Sequence, residues 1–225
     1  MTTISIQPRT CADPSTRVTR SLAGYGVLVG PVYVGVSLAQ ALTRDGFDLG
    51  RHAWSQLALG DWGWIQTANL IATGLMSIAF SVALRRTLAA GRGGRAVPVL
   101  VAGFGVGVLL AGVFSADPAA GFPVGMPTPA APSPHGMLHL MTSGLGFVAL
   151  AAAMAVMVVR YASEHRAARA TWSAVAAVAL LGGFATIASG SPAGVPAFTT
   201  GILAAMTWIS LLGVDTYRRA TSASL

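Results

Sequence analysis

Long hydrophobic blocks separated by short polar stretches run along this chain. Six of them approach the roughly 20 apolar residues that an α-helix needs to cross a hydrocarbon core of about 30 Å. They predict spans at residues 22–42, 63–84, 97–116, 136–159, 171–189 and 200–216. The last two are the shortest, one interrupted by Gly182 and Gly183 and the other ending at Asp215. The expected fold is all-α: a polytopic membrane protein forming a six-transmembrane-helix bundle over residues 22–217, with polar tails at 1–21 and 218–225. Ala39-Gln40-Ala41 resembles a signal-peptide cleavage site, but the hydrophobic stretch and the polar tail before it are both longer than that reading requires, so span 1 is expected to be retained.

Small residues mark where helices can approach. Lipid supplies no hydrophobic drive for helix association, so contacts depend on close backbone packing. Gly26 and Gly30 offer one such face, and Gly103, Gly107 and Ala111 another. Pro98 suits a helix start, while Pro31 lies inside span 1 and is expected to kink it. A faint echo links Asp117-Pro-Ala-Ala-Gly-Phe-Pro to Ser191-Pro-Ala-Gly-Val-Pro. Bias towards Ala, Gly and Pro accounts for it as well as an internal repeat does.

Composition agrees with the pattern. Of 225 residues, 54% are hydrophobic and 9% charged. This excludes an ordinary water-soluble domain, in which about a quarter of residues are charged. All 14 basic residues are Arg, against 7 acidic ones, for a net charge of +7. They lie between or outside the blocks and form no stripe interleaved with aromatics, so the charge points to orientation and not to nucleic acid. Twelve fall on the side of the termini and only Arg44 and Arg51 on the other. By the positive-inside rule both termini are expected to be cytoplasmic, in a multi-pass plasma-membrane protein. No lipid-attachment motif is seen at either end, and the single cysteine, Cys11, reads as an incidental thiol.

Ionisable groups at a membrane edge are costly and tend to be kept for pairing or function. His52 follows span 1, Asp117 follows span 3, and His135 and His139 open span 4, all on the predicted outer side. Residues four apart share a helix face, so His135 and His139 can direct two imidazoles at one point. With His52 they offer a first shell for zinc or a related ion, whose bound water would be a nucleophile near neutral pH. Asp117 would orient a ligand or that water, and Ser55 would stabilise an oxyanion. His-x-x-x-His alone is a weak motif, since the intervening Glu of zinc proteases is missing. A haem would need His52 and His139 as its axial pair.

A plainer account gives the same residues structural work. His135 would cap a helix, His139 would bond a neighbouring helix, and Asp117 would pair with Arg44 or Arg51. Trp54, Trp62 and Trp64 read as interfacial anchors. Ser55 and Gln56 read as loop or cap groups in that account. Gln66, Thr73 and Ser77, with Asn69 beside them, form a protein-facing polar stripe on span 2. His165 and Glu164 sit in an Arg-rich loop, and Asp215 can pair with Arg218 or Arg219.

The run Arg51-His-x-x-Ser55-x-Leu57-x-x-Gly60, the turn Gly112-Val-Phe-x-x-Asp117-Pro with Gly121-Phe-Pro, and His135-Gly-x-x-His139 together resemble the prokaryotic membrane family catalogued as domain of unknown function 998. The resemblance covers residues 20 to 217 and implies a multi-spanning protein with its polar motifs clustered on one side. A more distant likeness in site chemistry is to the alkaline ceramidase and adiponectin-receptor superfamily, seven-helix zinc hydrolases using Ser, Asp and three His. This chain departs from them in its six spans, the order of His52 and Ser55, and the placement of the paired His on span 4.

Two functions follow. One is a metal-assisted membrane hydrolase acting on a lipid or amphiphile, with His52, His135 and His139 as ligands and Asp117 and Ser55 as catalytic groups. The other is a non-catalytic small-ligand binder, transporter component or helper subunit with a structural polar cluster. No charged residue lies near the middle of any span, which disfavours ion-driven transport. The metal reading predicts near-stoichiometric zinc or a related metal in detergent-purified protein, lost in a His135→Ala/His139→Ala double variant. Elemental analysis by mass spectrometry decides it.

Overall fold

The computed structural model describes residues 14–89 and 91–222. Arg9 and Cys11 lie outside the described residues. Six helices run in order: α1 Pro14–Thr43, α2 Gly63–Thr87, α3 Ala96–Val113, α4 Pro134–Ser163, α5 Ala167–Ala188 and α6 Gly194–Ser222. A short 3-10 helix, Trp54–Ala58, lies between α1 and α2. All six are long and apolar enough to cross a membrane, and among the described residues there is no β-strand.

Several helices outrun the hydrophobic blocks, because helical hydrogen bonding continues through polar residues once a nucleus exists. α1 begins at Pro14, eight residues before the block, and its first turns carry Arg17 and Arg20. α1 is continuous through Pro31, and α5 through Gly182 and Gly183. α6 starts at Gly194 with Pro196 in its first turn, where proline is tolerated. α3 stops earlier than its block, at Val113. Pro118 disfavours helical conformation in the residue before it.

Each helix packs against its chain neighbours, and α6 returns to α1, so the six form a closed antiparallel ring. The start of α1, the end of α6 and the α2–α3 and α4–α5 connections lie at one end, called the terminal end. The other three connections lie at the far end.

Close approach is what the glycines permit. A Cβ on Gly74 would come within 2.6 Å of the Gly105 carbonyl oxygen, and one on Gly105 within 2.7 Å of the Gly74 oxygen. Gly107 abuts Thr142 and Gly146 of α4, as the small-residue face on span 3 predicts. Gly26 and Gly30 likewise meet other helices: Phe80 of α2 lies over the first, and Met206 and Ser210 of α6 over the second. Gly103 is looser, with only the Ala149 methyl in ordinary contact.

The polar stripe on α2 faces protein as expected. Gln66, Asn69, Thr73 and Ser77 are all buried. Gln40 Nε2 donates to Gln66 Oε1 at 2.8 Å, and Asn69 Nδ2 donates to the Tyr33 carbonyl at 3.1 Å. These bonds tie α2 to α1 where unpaired polar groups would cost several kcal/mol each.

At the terminal end, the ring is filled by fully buried Phe80, Leu84, Leu88, Leu150, Met154 and Ile209. Below this plug lies a charged lock. Asp215 of α6 accepts two hydrogen bonds from Arg169 of α5, at 2.7 and 3.0 Å. Arg166 and the Tyr161 hydroxyl also donate to it. Glu164 takes Arg160 at 2.9 Å and Arg219 at 3.1 Å. Local pairing of Asp215 with Arg219 is thus replaced by pairing across helices, since Arg219 turns to Glu164. The bidentate geometry of the Arg169 guanidinium fork favours this exchange.

The two echoing segments take different shapes. Ala119 and Phe122 pair in a tight turn with Ala120 and Gly121 at positive φ, whereas Ser191–Gly194 is a single turn leading into α6.

Gly105→Ala is expected to destabilise the protein by about 1–3 kcal/mol, because the added methyl must push α2 and α3 apart. Gly35, with open space around its Cβ position, is the control, and Gly35→Ala should be tolerated. Thermal unfolding in detergent distinguishes them; equal melting temperatures would contradict the close-packing role of Gly105.

Candidate functional site

The far end of the ring is closed by two loops that bond to one another. The turn at Ala119–Phe122 presents its carbonyls to the 44–62 segment, where His52, Arg51 and Gln56 receive them. His52 is buried, with its ring 5.3 Å from that of Phe47 and 5.4 Å from that of Phe122. Its Nδ1 accepts the Asp48 backbone N–H at 2.8 Å, which leaves Nε2 to donate to the Ala120 carbonyl at 3.2 Å. Arg51 reaches the same carbonyl at 3.3 Å. Gln56 accepts the Ala53 N–H at 2.9 Å and donates to the Ala119 carbonyl at 3.4 Å, the cap-and-loop role its position predicts.

Arg44 completes the clasp. Its guanidinium donates to the Leu57 and Leu59 carbonyls at 2.9 and 2.6 Å and lies over the Phe122 ring. Loss of water around it presses its pKa below the ordinary arginine value, and Asp61 opposes that shift. Neither Arg44 nor Arg51 forms an ion pair with Asp117 among the described residues. Asp117 instead accepts the Ser133 backbone N–H at 2.9 Å and the Ser133 hydroxyl at 2.5 Å. Ser133 Oγ in turn accepts the Gly136 N–H at 3.0 Å, so Ser133, not His135, is the N-cap of α4. The Ser-Pro pair entering a helix is a sequence signal for this cap.

His139 is buried and bonds a neighbouring helix, as the structural account expects. Its Nδ1 lies 2.9 Å from the carbonyl oxygens of both Ala111 and Phe114, at the C-terminus of α3. Two acceptors there place the proton on Nδ1 and leave the Nε2 lone pair for another partner. His135, by contrast, is exposed and meets Phe114 edge-on.

Above the plug, the ring encloses a cavity of about 470 Å³ to which all six helices contribute. Ser55, Asp117 and His139 line it, while His52 and His135 do not. Its body is apolar, formed by Leu70, Phe104, Phe147, Phe198, Ile202 and Met206 among others, and its mouth carries Arg51, Ser55, Gln56 and Asp117. Phe147, Phe184 and Phe198 form a triad with ring centres 5.4 to 6.0 Å apart. Trp54 also turns inward, 5% exposed and 5.9 Å from the Tyr33 ring, whereas Trp62 and Trp64 remain exposed as interfacial anchors would. Trp54 Nε1 and Thr73 Oγ1, in the cavity wall, are buried without a partner.

The proposed zinc donors do not converge. Both ring nitrogens of His52 are engaged, His135 faces outward, and among the described residues no three His, Cys, Asp or Glu side chains gather closely enough to hold a metal ion. The helical spacing places His135 and His139 near one face, but burial separates them: one imidazole serves α3 and the other lies against Phe114. The haem pair fails on the same geometry, since only His139 of the two lines the cavity.

Replacing His139 by Leu is expected to cost about 1–3 kcal/mol by stranding acceptors at the end of α3. Asn, whose side-chain N–H can stand in for Nδ1–H, should retain most of that stability. Denaturation in mixed micelles measures both, and a leucine variant as stable as wild type would contradict the capping role.

Comparison with known proteins adds a family but no activity. The family model described as "Protein of unknown function (DUF998)" matches residues 27–215. No curated protein and no solved structure shows significant similarity to the chain. The matched stretch runs from α1 to α6 and contains all three far-end connections and the whole cavity wall. The chain, with its six helices long and apolar enough to cross a membrane, is a member of the DUF998 family.

Proposed function

We propose that this protein binds a small amphiphile in the cavity at the centre of its helix ring. The observation that carries the reading is the cavity itself: blind at the terminal end, apolar in its body and polar at its mouth. Its volume lies within the roughly 300–1,000 Å³ usual for small-molecule sites. An apolar tail would lie among the phenylalanines and Met206, and a polar head would meet Gln56, Ser55 and His139. Burial of the tail would contribute about 25 cal/mol for each Å² of apolar surface removed from water, while the polar groups fix orientation.

The arginine bias supports both termini being cytoplasmic in the plasma membrane, which would open the cavity mouth to the outside. A hydrolytic reading keeps one observation in its favour, namely that Ser55, Asp117 and His139 share one cavity. In that reading they act on the bound amphiphile without the zinc set of His52, His135 and His139.

Native mass spectrometry of protein released from lipid discs is expected to show one amphiphile per chain. Ile202→Trp, which fills the cavity, should remove it without unfolding the protein. Absence of any bound amphiphile in wild type, together with no thermal stabilisation by single-chain amphiphiles, would overturn the binding reading. Time-dependent cleavage of the bound molecule, lost in Ser55→Ala, would move the conclusion to hydrolysis.

A further inference from the structure

The cavity wall also reaches the outer surface of the ring between α4 and α5. Gly144 of α4 packs against the Phe184 ring of α5, and the two helices face one another through this stripe. One turn towards the far end, the same stripe continues as Leu140 and Met137 on α4 and as Ile187 and Ala188 on α5. All four line the cavity. Yet Met137 and Leu140 are each 50% exposed, and Ala188 is exposed as well. Residues that border an interior cavity and also the outer surface of a ring mark a gap in its wall. Every member of this gap is apolar, in contrast to the mouth at Arg51, Gln56 and Asp117. A gap of that chemistry on the side of a membrane bundle faces acyl chains.

We propose that the cavity is loaded sideways from the bilayer, between the far ends of α4 and α5, by an uncharged single-chain amphiphile whose head donates a hydrogen bond to His139 Nε2. The proposal rests on the binding reading above and adds the route and the ligand class. The volume of about 470 Å³ suits one acyl chain. The head must carry an O–H or N–H, because the Nδ1 proton is committed to Ala111 and Phe114 and only a lone pair remains at Nε2. It must be uncharged, because Asp117 and Arg51 at the mouth already bond to Ser133 and Ala120 and the cavity body has no charged side chain. An unpaired charge there would carry a large desolvation penalty. Phe147, Phe184 and Phe198 stand just inside the gap and form the apolar surface along which a chain slides. Alcohols, monoacylglycerols and primary amides of long-chain acids belong to this class.

The test uses full-length protein in phosphatidylcholine vesicles containing a monoacylglycerol with a mid-chain diazirine. On irradiation, carbene adducts are expected on Met137, Leu140, Phe184 or Ile187 and on Ile202 or Met206. The double variant Leu140→Trp/Ala188→Trp, which narrows the gap, should slow labelling of the α6 residues by about tenfold, equivalent to roughly 1.4 kcal/mol in barrier. The methyl ether of the probe's hydroxyls, lacking the donor, should be retained about tenfold less well by wild type. Labelling of α6 that proceeds equally fast in the double variant, with no adduct on the α4–α5 stripe of wild type, would overturn the side route and leave the binding reading standing. Equal retention of the ether would overturn the assignment of the head to His139. No labelling of α6 in wild type would overturn the proposal and the binding reading together. Should the double variant fail to fold, the adduct pattern on the wild-type stripe decides alone.

Discussion

Everything else in this structure depends on how closely α6 can approach α1. Six antiparallel helices make a sheetlike row unless the last meets the first, and a row has no interior. Here Gly213 of α6 lies directly on the backbone of Gly26 and Val27, and Gly30 lies directly beneath Met206 and Ser210. In lipid, the gain from that contact is dispersion and local hydrogen bonding, which fall away steeply with distance. Side chains at these positions would open the ring. With it closed, the two ends can be sealed independently and the space between them becomes a compartment.

The ends are sealed by different physics. At the terminal end, large apolar side chains fill the ring and a layer of Arg, Glu and Asp lies over them, so burial is followed immediately by charge pairing. Asp215 is buried, and bidentate contact with Arg169 together with donors from Arg166 and Tyr161 offsets its desolvation. At the far end Trp54, Leu57 and Phe122 are buried as well, but the loops there are irregular and closure is chiefly a matter of satisfying backbone carbonyls. Arg44 takes those of Leu57 and Leu59, His52 and Arg51 that of Ala120, Gln56 that of Ala119, and His139 those at the end of α3. Irregular backbone near the hydrocarbon is stable only when its polar groups are met in this way.

This accounting changes what the family-bearing residues mean. His52, Arg51, Asp117, Gly121 and Phe122 look like chemistry when read as letters, because His, Arg and Asp are the usual carriers of chemistry. In the fold His52, Arg51 and Phe122 hold two loops together, Gly121 supplies a positive φ for the turn, and Asp117 ties the segment after α3 to the cap of α4. Of the two buried histidines, His52 uses both ring nitrogens in the loop clasp, whereas His139 uses Nδ1 alone and lines the cavity. The proposed binding function therefore centres on the cavity wall, much of which consists of residues that carry no reactive group.

The six helices, their order and the protein-facing stripe on α2 were legible in the sequence, because hydrophobic length and the cost of unpaired polar groups in lipid act locally and leave a periodic record. The glycine faces were legible too, though not which helix each would meet. The zinc set was misleading: a spacing of four shows that two histidines share a face, but not which way the face turns or what the first nitrogen already holds. Arg44 as a carbonyl clamp, Ser133 bridging Asp117 to α4, and the Phe147–Phe184–Phe198 triad left no comparable signal, apart from the Ser-Pro that announces a helix start. Sequence by itself determined the membrane-spanning elements, since each must satisfy its own backbone in lipid. Only the tertiary structure decided the ring, the cavity and the partners of each polar side chain, since those depend on contacts between segments far apart in the chain.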